Sequence, residues 1–173
     1  MNSKPVVTMG IVVVTGILVA GGWFTWQSLG TGGGGRTLTV VGTSMAPTIQ
    51  PGEQVRLLEQ SPEEIARGDL VAIRFQTRER LMVKRVIARA GDEVYLRDGR
   101  VFVNGAPLVM EGWPETRRVN ERAWKVLGIQ LRNYDNRVPP NNVIVMGDNA
   151  LRSYDSGDFG MLSLTQIAGR IER

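Results

Sequence analysis

From Pro5 to Gly35 the chain carries no charged side chain, and Val6–Trp26 (VVTMGIVVVTGILVAGGWFTW) is 21 residues of almost unbroken apolar sequence. About 20 such residues span a bilayer core as a helix, which satisfies its own backbone hydrogen bonds where water is absent. Trp23 and Trp26 stand at the far end, where aromatic rings favour the headgroup zone. The competing reading is a cleaved leader, with small residues at Ala20-Gly21-Gly22. Leaders have apolar cores of only about 7–15 residues, and here apolar character runs on through Trp26, so the segment reads as an uncleaved anchor. Lys4 against Arg36 favours a cytoplasmic N-terminus. The expectation is a single-pass protein of the plasma (inner) membrane, with residues 36–173 on the extracytoplasmic side. The chain then divides into an anchor (1–29), a Gly-rich tether (30–35, GTGGGG) and a β-rich domain (36–173).

The domain reads as mainly β, an antiparallel sheet built from short strands. Strand-like runs are Arg36–Gly42, Gln54–Glu59, Asp69–Phe75, Arg80–Ala90 and Asn142–Gly147. Glu93–Gly105 carries Asp98-Gly99, the dipeptide that best signals a two-residue hairpin turn. Ser61–Gly68 predicts a helical turn with Ser61 as N-cap and Pro62 at the first position. The C-terminal LTQIAGRIER mixes a turn or short helix with a last strand. Residues 106–140 lack alternation and hold four prolines, so they read as an excursion from the sheet, an inserted hairpin subdomain.

Composition narrows the chemistry. There is no cysteine, hence no disulfide, and no histidine, hence no Ser-His-Asp triad. The lack of both argues against a zinc site. The net charge of +4 is modest, the basic residues are scattered and the few aromatics are not interleaved with them, which reads as a solvated surface without nucleic-acid binding. Of the 21 Lys and Arg residues only Lys4, Lys84 and Lys125 are lysine. Surface charge in this chain is an arginine habit, and a lysine inside an apolar strand needs its own reason.

That lysine faces a question posed by VVGTSMAPTIQPGEQV (residues 40–55): if Ser44 is a nucleophile, what takes its proton? In a strand over Arg80–Ala90, Met82, Lys84, Val86 and Ala88 share one face, and Arg85 and Arg89 fall on the other. Burial disfavours an ammonium and can lower a lysine pKa by several units. A neutral amine is a competent general base, whereas guanidinium is not. The bland reading is a lysine that snorkels from a strand edge.

The segments SMAPT (Ser44–Thr48), VKRV (Val83–Val86) and GDNALRSYDS (Gly147–Ser156), in this order behind an apolar span, resemble the bacterial type I signal peptidases. These are membrane-anchored Ser/Lys proteases that remove signal peptides from exported preproteins. The resemblance implies that Ser44 is the nucleophile and Lys84 the general base, with Met45 and Pro47 fixing the loop. It matches Gly147, Asp148 and Asn149 to the opening of the last motif, Ser153 to the serine that hydrogen-bonds and orients the lysine, and Asp155 to the aspartate after it. RGDL (Arg67–Leu70) resembles a structural segment of the family. Two positions depart from the pattern. Gly157 stands where arginine is common, so an Asp155–arginine pair cannot form locally: either Arg152 or another arginine substitutes, or Asp158 and the turn rearrange. Gly42 stands where some members place a serine that donates to the oxyanion. The resemblance further implies acyl transfer without metal or cofactor, and partners that are preprotein signal peptides and membrane lipid.

Three other readings bound this one. A self-cleaving Ser/Lys repressor of the SOS type would share the chemistry but carry no membrane span. A specialised peptidase would mature a single conjugation or pilus protein. An inactive membrane-tethered relative would show its first sign of decay at Gly157.

Overall fold

The computed structural model describes residues 35–75, 80–114, 118–119 and 121–173. The expected anchor, and the tether apart from Gly35, lie outside the described residues. Among the described residues no helix is long and apolar enough to cross a membrane.

Short alternating runs become strands because each can bury one face. In β2 (Gln54–Leu58) Val55 and Leu57 point inward between exposed Gln54 and Arg56. β2 pairs with β1 (Gly35–Thr39), which begins on the last residue of the expected tether. β3 (Leu70–Ile73) and β4 (Met82–Arg89) follow. Next come β5 (Val94–Arg97), β6 (Arg100–Val103) and β7 (Ala106–Pro107). The last strands are β8 (Asn142–Met146), β9 (Leu162–Ser163) and β10 (Ile167–Glu172). A seven-stranded antiparallel sheet has the order β1-β2-β10-β3-β4-β8-β9, and β5-β6-β7 form a second sheet. β8 is buried on both faces. Val143 and Val145 pack with Ile65 and Leu162, whereas Ile144 and Met146 pack toward the small sheet. That explains why its sequence is an apolar run and not an alternation.

The expected hairpin joins β5 to β6. Asp98 and Gly99 have φ of 51° and 70°, the pair of positive values that a type I′ turn requires. Asn104-Gly105, at 51° and 81°, repeats the device between β6 and β7. On the outer face of this hairpin Tyr95 stacks on Phe102 at 5.1 Å, and the Arg97 guanidinium lies 5.2 Å from the Phe102 ring centre. An aromatic–arginine stack was not expected. Cross-strand register creates it, by pairing residues seven apart in the chain.

Residues 106–140 also differ from expectation. They hold β7 and an α-helix, α1 (Lys125–Arg132). Trp124, Leu127 and Leu131 fall on one side of α1 and join Trp113, Ile144 and Met146 in a single apolar cluster. The spacing of three, four and seven was present, but eight residues containing Gly128 give a weak periodic signal. A second short helix, α2 (Ser156–Phe159), follows β8. At Pro62–Glu64 the expected helical turn is one turn of 3₁₀-helix, and Ser61 caps it with its backbone carbonyl, not its hydroxyl.

Candidate active site

Ser44 lies in the loop between β1 and β2. Backbone hydrogen bonds zip the base of that loop: Gly52 N–H donates to Val40 O at 2.7 Å and Val40 N–H to Glu53 O at 2.9 Å. Met45 and Ile49, 1% and 0% exposed, plug it into the core beside Val55 and Ala72. The Ala46–Pro47 peptide is cis, and Pro47 is exposed on the outside of the turn. Burying Met45 therefore fixes the loop from within and leaves its neighbour Ser44 at the half-buried rim.

β4 supplies the partner. Lys84 lies opposite Val71 of β3 and is 2% exposed. Its Nζ donates to Ser44 Oγ at 2.8 Å and to Val83 O at 3.1 Å. The expected alternation holds through Val86, whose face carries Val71, Ile73 and Val145. It fails at Ala88, because a register shift between Val86 and Ala88 turns Ala88 to the same cluster as Ile87.

The next residue corrects the reading of arginine as surface charge. Arg85 is 5% exposed and grips Asp148 with two bonds, Nε to Oδ1 at 2.9 Å and a terminal nitrogen to Oδ2 at 2.7 Å. A third bond reaches Gly68 O at 2.9 Å. Such a pair adds little net stability over apolar packing, but losing one partner strands a buried charge. It ties the strand of Lys84 to the turn that follows β8.

That turn docks on the backbone of the Ser44 loop. Asn149 N–H donates to Ser44 O at 3.0 Å, and Asn149 Nδ2 donates to Thr43 O at 3.2 Å. A Cβ on Gly147 would lie 2.5 Å from Ser44 O and 2.8 Å from Ser153 Cβ, so only glycine fits there. Gly42, by contrast, is exposed, and a Cβ on it would meet nothing within 4 Å.

The expected bond from Ser153 to Lys84 is not formed: among the described residues Ser153 Oγ is buried without a hydrogen-bond partner. The Ser153 side chain is packed against Gly147, and Lys84 Nζ is directed to Ser44 Oγ and Val83 O.

Asp155 is held by backbone amides. Oδ2 accepts Gly147 N–H and Oδ1 accepts Gly157 N–H, each at 3.1 Å. Asp155 N–H donates to Asp158 Oδ2 at 3.0 Å, completing a capping box on α2. Gly157 is buried, and a Cβ there would collide with Ala123 O. Ser156 Oγ accepts Val145 N–H at 2.9 Å, which joins α2 to β8. Sequence reasoning placed Arg85 on the face opposite Lys84 without a partner and named Asp158 only as part of a rearranged turn, not as a cap. The Asp155-x-x-Asp158 spacing was a usable capping signal, whereas nothing in sequence marks Arg85 as buried.

A groove of about 790 Å³ opens beside the loop, lined by Pro47, Thr48, Leu70, Arg85, Met110 and Trp113 among others. Ser44 and Lys84 are not in its lining, so this groove and the Ser–Lys contact are separate features. Among the described residues no cluster of three or more Asp, Glu, His or Cys could hold a metal ion.

Comparison with known proteins bears on the whole chain. The family model for signal peptidase, peptidase S26, matches residues 8–173. The signal peptidase I of Bacillus licheniformis is 33% identical over 135 residues, 75% of this chain and 70% of that protein. The signal peptidase I T of Bacillus subtilis (strain 168) is 32% identical over 135 residues, 75% and 68% of the two chains. An inactive signal peptidase IA of Staphylococcus aureus is 24% identical over 147 residues, 79% of each. The extent of the family match and identities above 30% across three quarters of the chain place it: the chain belongs to the signal peptidase family, peptidase S26.

Proposed function

We propose that the chain is an active signal peptidase, a serine endopeptidase in which Ser44 is the nucleophile and Lys84 the general base. The observation that carries this reading is the 2.8 Å contact between Lys84 Nζ and Ser44 Oγ, made by a lysine 2% exposed. The neutral amine takes the Ser44 proton as Oγ attacks the scissile carbonyl. The resulting ammonium returns that proton to the departing amine, leaving an acyl-enzyme on Ser44. Water then attacks the ester with Lys84 again as base, and the proton returns to Ser44. The Ser44 backbone N–H stabilises the oxyanion, and Gly42 adds no side-chain donor. Asp148, Asn149, Ser153 and Asp155 support the site, as do Met45 and Pro47 in the loop.

The substrate is the signal peptide of a preprotein, bound as an extended strand. The family resemblance supports addition of that strand to a sheet edge, with small residues three and one before the cut. Residues 1–29 anchor the chain in the plasma membrane through the Gly-rich tether, and residues 36–173 work outside the cytoplasm.

The test is incubation of the detergent-solubilised chain with preproteins, followed by sequencing of the new N-terminus. Cleavage at one position, lost in Ser44→Ala, is expected. Cleavage of one dedicated substrate alone would make it a specialised maturation enzyme. No cleavage, together with no labelling of Ser44 by a serine-directed acylating probe, would make it an inactive relative.

A further inference from the structure

Position 157 holds glycine, so no side chain there can pair with Asp155, yet Asp155 is firmly placed. The bracing comes from α1. The Ala123 carbonyl, just before α1, occupies the space that a Cβ on Gly157 would need. In the last turn of α1, Gln130 lies over Gly160 (φ 90°), where any Cβ would overlap its amide. Gln130 Oε1 accepts Met161 N–H at 2.7 Å. α2 thus sits between two contacts from α1, one at each end. Four residues cannot hold a helix by themselves, and α2 is the element that Asp155 caps. The contacts continue to the dyad. Asp155 Oδ2 accepts Gly147 N–H, and Gly147 packs against Ser44 O and Ser153.

We propose that Gln130 is a positioning residue for the Ser44–Lys84 pair. By accepting Met161 N–H and filling the space over Gly160, it clamps α2, and α2 sets Asp155 and Gly147 beneath the Ser44 loop. It acts through these residues and touches no substrate. The inference rests on the Ser44–Lys84 reading above. Displacements of about 1 Å can cost on the order of 10²-fold in rate, so a partial loosening is expected to cost about tenfold in kcat.

Two variants of the full chain test it. Gln130→Met keeps length and apolar bulk but removes the acceptor, and Gln130→Glu keeps an acceptor oxygen. Gln130→Met is expected to lower kcat for preprotein cleavage, leave KM unchanged and displace the pH–rate profile. Gln130→Glu is expected to retain most of the wild-type kcat. Amide exchange at Gly147 should be faster in Gln130→Met than in the parent, a readout that holds even if the chain cleaves nothing. Wild-type kcat and pH profile in Gln130→Met, unaltered exchange at Gly147, or equal damage in both variants would each overturn the proposal. Failure of the dyad reading looks different: Ser44→Ala and Lys84→Arg would then match the parent.

Discussion

The loop that carries Ser44 and the turn that carries Ser153 meet at one site but are held by different means. The Ser44 loop is fixed mainly by features that a sequence displays openly, buried Met45 and Ile49 and a strand that alternates up to Lys84, above a base zipped by backbone hydrogen bonds. The turn from Gly147 to Gly160 is fixed by close backbone approach together with the buried Arg85–Asp148 pair. Asp155 gathers two amide N–H groups, and Gly147, Gly157 and Gly160 each admit a neighbour that a Cβ would exclude. The first arrangement is expected to tolerate substitution of its polar atoms without unfolding, and the second to fail sterically before it fails chemically. A site can therefore lose catalysis through one half and stability through the other, and variants separate the two.

The largest expected effect belongs to the first half. Lys84→Arg keeps the charge but cannot give up its proton. Cleavage should fall by about 10²- to 10⁴-fold, the usual worth of general-base catalysis, with the thermal midpoint changed far less than the rate. Wild-type activity should rise with pH as the Lys84 amine loses its proton. Near-normal kcat in Lys84→Arg would end the Ser/Lys mechanism and the contrast with it.

Gly157→Arg tests the second half and reverses a simple expectation from the family. Restoring the common arginine looks harmless in sequence. Because a Cβ at 157 meets the Ala123 carbonyl, we expect destabilisation of roughly 1–3 kcal/mol, typical of overpacking, read as a lower midpoint in urea. Unchanged stability would mean that α1 does not close on α2.

Ser153→Ala should matter less. Its hydroxyl is buried and unpaired, and an unmade buried hydrogen bond costs about 1–3 kcal/mol, so the variant should be as stable as the parent or slightly more so. Any slowing of cleavage should be smaller than in Ser44→Ala, because Ser153 packs on Gly147 beneath Ser44 O and does not bond Lys84. A clear loss of stability on urea unfolding would show that the hydroxyl is bonded after all.

The smallest effect concerns the base of the Ser44 loop. The Glu53 carboxyl is held below the ordinary glutamate range, first by the Gln50 N–H and then by Arg173. A depressed folded-state pKa contributes stability that is present above the unfolded value, about 4.3, and is lost as pH falls through the folded value. The midpoint difference between the parent and Glu53→Gln should therefore shrink as pH is lowered from neutral through that window. A difference independent of pH would remove the carboxylate from the account.

What sequence made legible was whatever depends on local period and residue type. Alternation in β4 set Lys84 apart from its arginine neighbours, Asp98-Gly99 fixed the hairpin, and the order of SMAPT, VKRV and GDNALRSYDS named the residues that meet. The charge-free run from Pro5 to Gly35 is likewise a property of sequence alone. Tertiary structure decided the rest. Arg85 is buried because Asp148 waits for it 63 residues away, and Tyr95 and Phe102 stack because a register pairs them. α1 is too short to signal itself, and forms where Trp124, Leu127 and Leu131 find Ile144 and Met146. Gly157 looked like a lost partner for Asp155, and in the fold it is the space that lets α1 come close. Sequence records what a residue can do, whereas burial and close approach depend on which distant segment arrives beside it.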